Sequence, residues 1–398
     1  MPNSKRRKEM KINILSDAKL ICSNPTSFQN YFAWSTVARL PGGELGLACS
    51  GYRIKHICPF GKSVISYSRD EGETWTLPAP VIDTPLDDRD GGIATNGKDV
   101  IVTTFNNTVA MQRKWNEEAK VQNDDHIRSA GNNGLFENSV DTIYNFVGSY
   151  LDNVNAQDAE EKFLGSLYRV SHDGGYTFGE IKKLPITAPH GPCAFPDGRF
   201  IYVGTEFDTK NGNDNNIACY ITNENGEFEF VSRIDNLDPI DGDEVNVCEP
   251  HTIVLPNGKI VVHIRVQSKV ANSIHSSIFT TYQCESYDGG KTFTHPHPIF
   301  EDRRFGSPPH LMLHSSGVLI SSIGFRDNPY GVRIIASKDM GETWQDLGFI
   351  YTNNGVSADI GYPSSVELKD GSILTAFYAH EKKGSPSEIF KIVWKLED

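Results

Sequence analysis

No stretch of the chain comes near the roughly 18 consecutive apolar residues that a membrane-crossing helix needs, so no helical anchor is expected within it. Basic charge is short as well: 38 lysines and arginines face 51 acidic residues, for a net charge of −13. Long-range repulsion from that surplus argues against a general nucleic-acid or anionic-membrane surface. Cysteine is scarce, seven scattered residues in 398. An odd, dispersed set in so long a chain predicts reduced thiols, and the cytoplasm is the expected compartment. The run Lys-Arg-Arg-Lys at 5–8 leads into "EMKINILSD", which carries charge where a secretory signal needs an apolar core. It reads as a solvated tail with Met10 near the natural start.

What the chain has in quantity is punctuation. Turn residues precede a β-rich run at "PGGELGLA" (Gly43), "NGKDVIVT" (Gly97), "PDGRFIYV" (Gly198), "PNGKIVVH" (Gly258), "SSGVLISS" (Gly317) and "KDGSILTA" (Gly371). Asn-Gly and Asp-Gly supply the positive φ angles of tight hairpins, and the flanking Val, Ile, Leu and Phe suit strands packed on both faces. The intervals are 54, 101, 60, 59 and 54 residues, so the second unit is oversized. A second signal repeats in phase: "SRDEGETW" at 68, "SHDGGYTF" at 171, "SYDGGKTF" at 286, "SKDMGETW" at 337, and a degenerate "TNENGEFEF" from Thr222. A period of about 55 residues holding four strands is that of a propeller blade. The expectation is an all-β, six-bladed β-propeller over residues 1–398, closed by "KINIL" pairing with the C-terminal "EIFKIVWKL". A helical insertion is expected over 106–163, where "SVDTIYNFVGSYLDN" places Val140, Ile143, Phe146, Val147, Tyr150 and Leu151 at helical spacing. Its apolar stripe predicts a lid packed on the blades or on a second copy of the chain.

Counting seven residues back from each hairpin glycine gives Thr36, Asp90, Gly191 beside His190, His251, His310 and Ser364, six positions expected to ring the axis. Three consecutive blades thus offer a histidine to one pocket. The ends of second strands add Arg53, His56, Glu206, Arg265, Arg326, Tyr330 and Tyr378. Arginines on one rim imply an anionic ligand, because a guanidinium fork matches a carboxylate in two hydrogen bonds.

The repeated octapeptide resembles the Asp-box, or BNR repeat, of sialidase-like propellers, and the resemblance extends over almost the whole chain as a divergent branch. It implies that Asp70, Asp173, Asp288 and Asp339 are structural turn residues on the rim away from the active face. "EPHTIVLPNGKIVVHIR" is similar to the sialidase segment in which a glutamate precedes an arginine across an inner hairpin, here Glu249 and Arg265. "GYPSSVELKDGSILTAFY" is similar to the segment that carries the catalytic tyrosine, here Tyr362. The resemblance implies a phenol nucleophile assisted by Glu249, since a neutral attacking group avoids repulsion from a carboxylate beside the anomeric carbon. It also implies an arginine clamp of Arg265 and Arg333, with Arg326 as substitute. Two departures stand out: "YFAWSTVARLPGG" lacks the first-blade arginine, and "RIKHICPFG" has no acid/base aspartate. His56 can shuttle protons instead. "TPLDDRDGG" offers Arg89 for the lost arginine and Asp88 or Asp90 for the lost acid, or else a structural ion network.

The first reading is therefore an exo-acting glycoside hydrolase on a terminal acidic sugar of a glycan, with Arg89, Arg265, Arg326, Arg333, His190, His251, His310 and Tyr330 toward the substrate and no cofactor. The alternatives are a metal-assisted uronate lyase or hydrolase, in which His190, His251 and His310 hold a divalent cation, and a sugar-binding propeller without turnover.

Overall fold

The computed structural model describes residues 9–122, 140–208, 212–269 and 277–397. The strands fall into six antiparallel sheets, one per expected blade. Blade one runs Tyr31–Arg39, Leu45–Arg53, Lys62–Ser68 and Ala79–Ile82 from axis to rim, and blade four runs Val245–Val254, Ile260–Ser268, Phe279–Ser286 and His297–Pro298. Blade three departs from the pattern, because its inner strand is broken into Ile186–Thr187 and Cys193–Ala194. Blade six is closed by the two ends of the chain: Lys11–Ile14 and Lys19–Cys22 both pair with Ser387–Glu397, in register from Lys11 opposite Glu397. That closure ties the first described residues to the last and leaves the ring without an open seam.

Each Asp-box makes the same small network. In the first, the Ser68 hydroxyl and the Thr74 amide donate to one oxygen of Asp70, the Thr74 hydroxyl donates to the other, and the Gly72 amide donates to Ser68. The bonds recur around Asp173, Asp288 and Asp339. In the degenerate box Asn223 stands in, its oxygen accepting from the amides of Asn225 and Glu227. Thr74 holds the Asp70 carboxyl down to about 2. These turns stitch third strand to fourth, and their carboxylates are spent on bonds within the turn.

Among the described residues, helices α1 (Val109–Gln122), α2 (Val140–Asn153) and α3 (Ala156–Phe163) leave blade two between its second and third strands. Residues 123–139 of the span expected to be helical lie outside the described residues, as does the basic run 5–8. Ile143, Tyr144, Val147 and Leu151 of α2 are buried against Ile54, Cys58 and Leu86, and Phe146 meets Phe28 and Phe60. The apolar stripe is thus spent on the loops of blades one and two. Among the described residues no helix is long and apolar enough to cross a membrane.

Candidate active site

The inner strands carry an irregularity that organises the site. In blades one, two, four and six the ladder slips near the start of the inner strand and resumes at Thr36, Gly92, His251 and Ser364. Two residues before each resumption stand Trp34, Asp90, Glu249 and Tyr362, with φ of 56°, 60°, 49° and 46°. Few residues other than glycine adopt the left-handed region, so four of them at equivalent positions, three with long or aromatic side chains, mark strain that the fold maintains at one place. A bulge re-aims the side chain it carries, and these four side chains gather at the axis.

Asp90 requires a correction to the count from the turns. The hairpin of blade two has a four-residue turn with its glycine second, whereas blades one, four and six have five-residue turns with the glycine fourth. Counting back from Gly97 therefore overshoots by two. Gly92 occupies the position of Thr36, His251 and Ser364, and Asp90 occupies that of Glu249 and Tyr362.

Tyr362 is the centre of the cluster. Its hydroxyl donates to Glu249 Oε1 at 2.6 Å, and Arg265 Nη1 donates to the other oxygen of Glu249 at 2.6 Å. Arg265 is oriented by Gln267, which accepts from both Nε and Nη2. Burial first, and then the facing Glu249, raise the Tyr362 phenol well above its ordinary range. The phenol therefore keeps its proton at rest and depends on a neighbouring base to lose it. Asp90, 7% exposed, is pushed up to about 7 by burial and then by Glu249.

Arginine placement differs from the expected clamp. Arg326, the substitute, reaches the cluster: its guanidinium lies 5.8 Å from the Tyr362 ring, and it donates to the Tyr378 hydroxyl and the Ile360 carbonyl. Arg265 and Arg326 share the face of Phe279, at 5.0 and 5.7 Å from its centroid. Arg333 is engaged elsewhere, paired with Asp346 at 2.5 Å and packed among Phe305, Phe325 and Phe349. Tyr330 packs with the core shared by blades five and six, and Glu206 pairs with Arg233. Asp346 and the rings of Phe305, Phe325 and Phe349 therefore hold the Arg333 guanidinium apart from the Tyr362 cluster.

The segment 87–90 divides its work. Asp87 is sealed with Arg53 in an ion pair of 2.5 Å, both side chains fully buried. Asp88, expected as an acid candidate, is fully buried, accepts from the Thr84 amide and hydroxyl and from Asn106, and so fastens its own loop. Arg89 lies 4.3 Å over the Trp34 ring and donates to the His56 carbonyl. Trp34, which no motif in the sequence singled out, borders both Arg89 and Tyr362, 6.4 Å from the phenol ring.

His190, His251 and His310 do meet, with ring centroids 4.3 to 5.5 Å apart, and His190 lies 6.3 Å from the Tyr362 ring. Nδ1 of His251 accepts from the Leu311 amide at 2.8 Å, and Nδ1 of His310 from the Ser365 amide at 3.3 Å. A neutral imidazole that accepts at Nδ1 carries its proton on Nε2, so neither ring presents a free lone pair to a cation. Burial drives all three toward the neutral form. Among the described residues no group of three or more His, Cys, Asp or Glu is arranged to hold a metal ion. The trio forms a packed floor beneath Tyr362.

Sequence reasoning missed a second polar cluster. Asp359 accepts from the hydroxyls of Tyr31 and Tyr378 at 2.7 and 2.9 Å and lies 3.3 Å from His380. His56 joins both directly, its Nδ1 3.4 Å from Asp359 Oδ1, and through Tyr31, 3.0 Å from the phenol oxygen. The loop that carries His56 is gripped from the insertion: Lys55 is buried, bonded to Asn116 of α1 at 2.8 Å, with Tyr144 of α2 facing its ammonium at 4.3 Å. The only signal for Asp359 was its place three residues before Tyr362.

A family model described as a BNR repeat-like domain matches residues 88–375. No match was found among curated proteins. A Dyadobacter fermentans protein described as of unknown function is 18% identical with a TM-score of 0.69, over 97% of this chain and 99% of that one. The intramolecular trans-sialidase of Ruminococcus gnavus is 11% identical with a TM-score of 0.60, over 96% and 97%. The α-L-arabinanase of Penicillium chrysogenum is 13% identical with a TM-score of 0.59, over 97% and 98%. At such identities the likeness is one of fold.

Proposed function

The chain belongs to the BNR repeat-like domain family, and on that premise we propose that it is a glycoside hydrolase that removes a terminal acidic sugar, with Tyr362 as nucleophile and Glu249 as the base that activates it. The observation that carries this reading is the 2.6 Å hydrogen bond from the Tyr362 phenol to Glu249, with Arg265 on the other carboxylate oxygen. As the phenol oxygen attacks the anomeric carbon its proton passes to Glu249, and Arg265 steadies the charge that this transfer relocates. A neutral nucleophile suits a sugar that carries its own carboxylate.

Charge around the cleft supports an anionic substrate. Four guanidinium groups, Arg53, Arg89, Arg265 and Arg326, meet three carboxylates, Asp87, Glu249 and Asp359, while Asp90 holds its proton up to about pH 7. One anionic group balances the set. Arg265 and Arg326, side by side on Phe279, are the pair for a substrate carboxylate. The metal-assisted alternative loses its support because backbone amides occupy Nδ1 of His251 and His310.

The test is turnover of a panel of 4-methylumbelliferyl glycosides, carboxylated sugars such as N-acetylneuraminic and glucuronic acid beside neutral ones, with and without chelator. Release from an acidic member, unaffected by chelator, is expected. Release from neutral members alone, or only with added metal, would refute the reading.

A further inference from the structure

Resting on that reading, the cluster around Asp359 supplies what the glycosidase mechanism still lacks, a group to protonate the departing oxygen. Hydrogen-bond directions settle its resting state. Asp359 Oδ2 takes the Tyr31 proton, so the Tyr31 oxygen, 3.0 Å from His56 Nδ1, accepts from that nitrogen. On the other edge of the ring, Arg89 Nη2, which can only donate, lies 3.4 Å from His56 Nε2. Both constraints place the His56 proton on Nδ1 and leave Nε2 as the basic nitrogen. The side chain keeps 40% of its surface open, unlike the buried axial histidines. Its ring stands edge-on to Trp34 at 4.9 Å, and Trp34 borders Tyr362.

We propose that Asp359, which reaches His56 Nδ1 directly at 3.4 Å and also through Tyr31, is the positioning residue of the proton-transfer step, holding His56 so that its imidazolium donates from Nε2 to the leaving glycosidic oxygen. In the first step the bond from Tyr362 oxygen to the anomeric carbon forms and the glycosidic C–O bond breaks. The phenol proton goes to Glu249, and His56, which has first taken a proton from solvent at Nε2, passes it to the departing alcohol. In the second step water attacks the anomeric carbon, neutral His56 takes its proton, and Glu249 returns a proton to Tyr362 as that bond breaks. The groups facing His56 are Asp359 and Tyr31 on the Nδ1 side and Arg89 and Arg53 on the other, with His380 beyond Tyr31. Desolvation in the cleft lowers the His56 pKa, the two arginines add to that, and Asp359 pulls against them. Asp359 is also joined through Tyr378 to Arg326, so one carboxylate orients both the acid and part of the carboxylate clamp.

The tautomer can be read without turnover, by 15N and 13C spectra of histidine-labelled protein, with the His56 signal identified as the one missing from His56→Gln. The wild type should show the Nδ1–H form. In Asp359→Asn the His56 pKa should fall by about one unit or more, a tenfold change in protonation. Tyr31→Phe, which removes the bridging oxygen and leaves the direct Asp359 contact, should weaken the Nδ1–H preference in a folded protein, and Asp359→Asn should weaken it further. An unchanged His56 in both variants overturns the proposal and leaves the glycosidase reading standing.

Kinetics on the acidic umbelliferyl glycoside test the chemical step. In Asp359→Asn the alkaline limb of kcat should move to lower pH by the same amount, with KM rising less than in Arg326→Ala because the guanidinium itself stays in place. His56→Gln should lose at least tenfold more rate on an alkyl glycoside than on the activated umbelliferyl leaving group. If Asp90→Asn shows that leaving-group dependence and His56→Gln does not, Asp90 is the acid and the proposal falls. Absence of any wild-type turnover overturns the function and the proton transfer with it.

Discussion

Tyr362 and Glu249 stand 113 positions apart in the chain, on blades six and four, yet the phenol of one donates a 2.6 Å hydrogen bond to the carboxylate of the other. The contact exists because both residues sit at strained bulges in inner strands, φ 46° and 49°, that turn them to a common axis. Nothing local in either segment requires the other. Closure of the ring brings them together.

Exchange of the expected arginine partner is directly testable. Arg326→Ala should raise KM for the acidic glycoside by about 10- to 100-fold, the loss of charge-assisted bonds worth roughly 1.5–3 kcal/mol. Arg333→Ala should leave KM within about twofold and lower the melting temperature instead, because its guanidinium serves Asp346 and three phenylalanine rings. Steady-state kinetics and thermal melts on both variants decide it.

What was legible in the chain follows the range of each interaction. Six blades could be read because each turn is specified by its own glycine, and the Asp-boxes by bonds spanning four residues. Glu249, Arg265 and Tyr362 could be read because strand motifs carry them. Asp90 was misplaced by two positions because turn length, which sets register, is a property of three-dimensional pairing. Asp359 was invisible because its partner Tyr31 lies 328 residues away across the closure of the ring, where no spacing rule operates. Trp34 carried no signal of its own, because the missing arginine falls beside it, around Phe32 and Ala33.

Asp90 should leave a mark on stability. Its folded carboxyl is raised to about 7, whereas an unfolded aspartate ionises near 4. Between those values the unfolded chain gives up a proton that the folded one keeps, so stability falls as pH rises through about 4 to 7 and then levels off. The total cost is up to about 4 kcal/mol at 1.4 kcal/mol per unit. Asp88, also raised to about 7, contributes a second share of the same sign. Urea midpoints measured against pH should decline less steeply in Asp90→Asn than in the wild type, and equal slopes would contradict the burial of this group.

The turn carboxylates should behave in the opposite way. Asp288→Ala removes the acceptor for Ser286, Lys291 and Thr292. It should lower the melting temperature, by loss of the turn's hydrogen bonds, and leave kcat/KM unchanged, as thermal melts and kinetics on the same preparation would show.

The grip of the insertion on the His56 loop predicts coupling between two surfaces. Asn116→Ala deletes the hydrogen bond to the buried Lys55 ammonium and should cost about 1–3 kcal/mol. It should also reduce kcat, because the next residue along the loop is His56. A stability loss without any change in kcat would separate the helices from the chemistry.

The central claim is the nucleophile, and Tyr362→Phe tests it most directly because it removes a single oxygen from a ring that is 5% exposed and packed near Trp34 and Tyr378. On the acidic umbelliferyl glycoside that the wild type cleaves best, the account predicts a fall in kcat of at least about 100-fold with a melting temperature close to that of the wild type. Turnover within about twofold of the wild type, in a variant that melts normally, would contradict it.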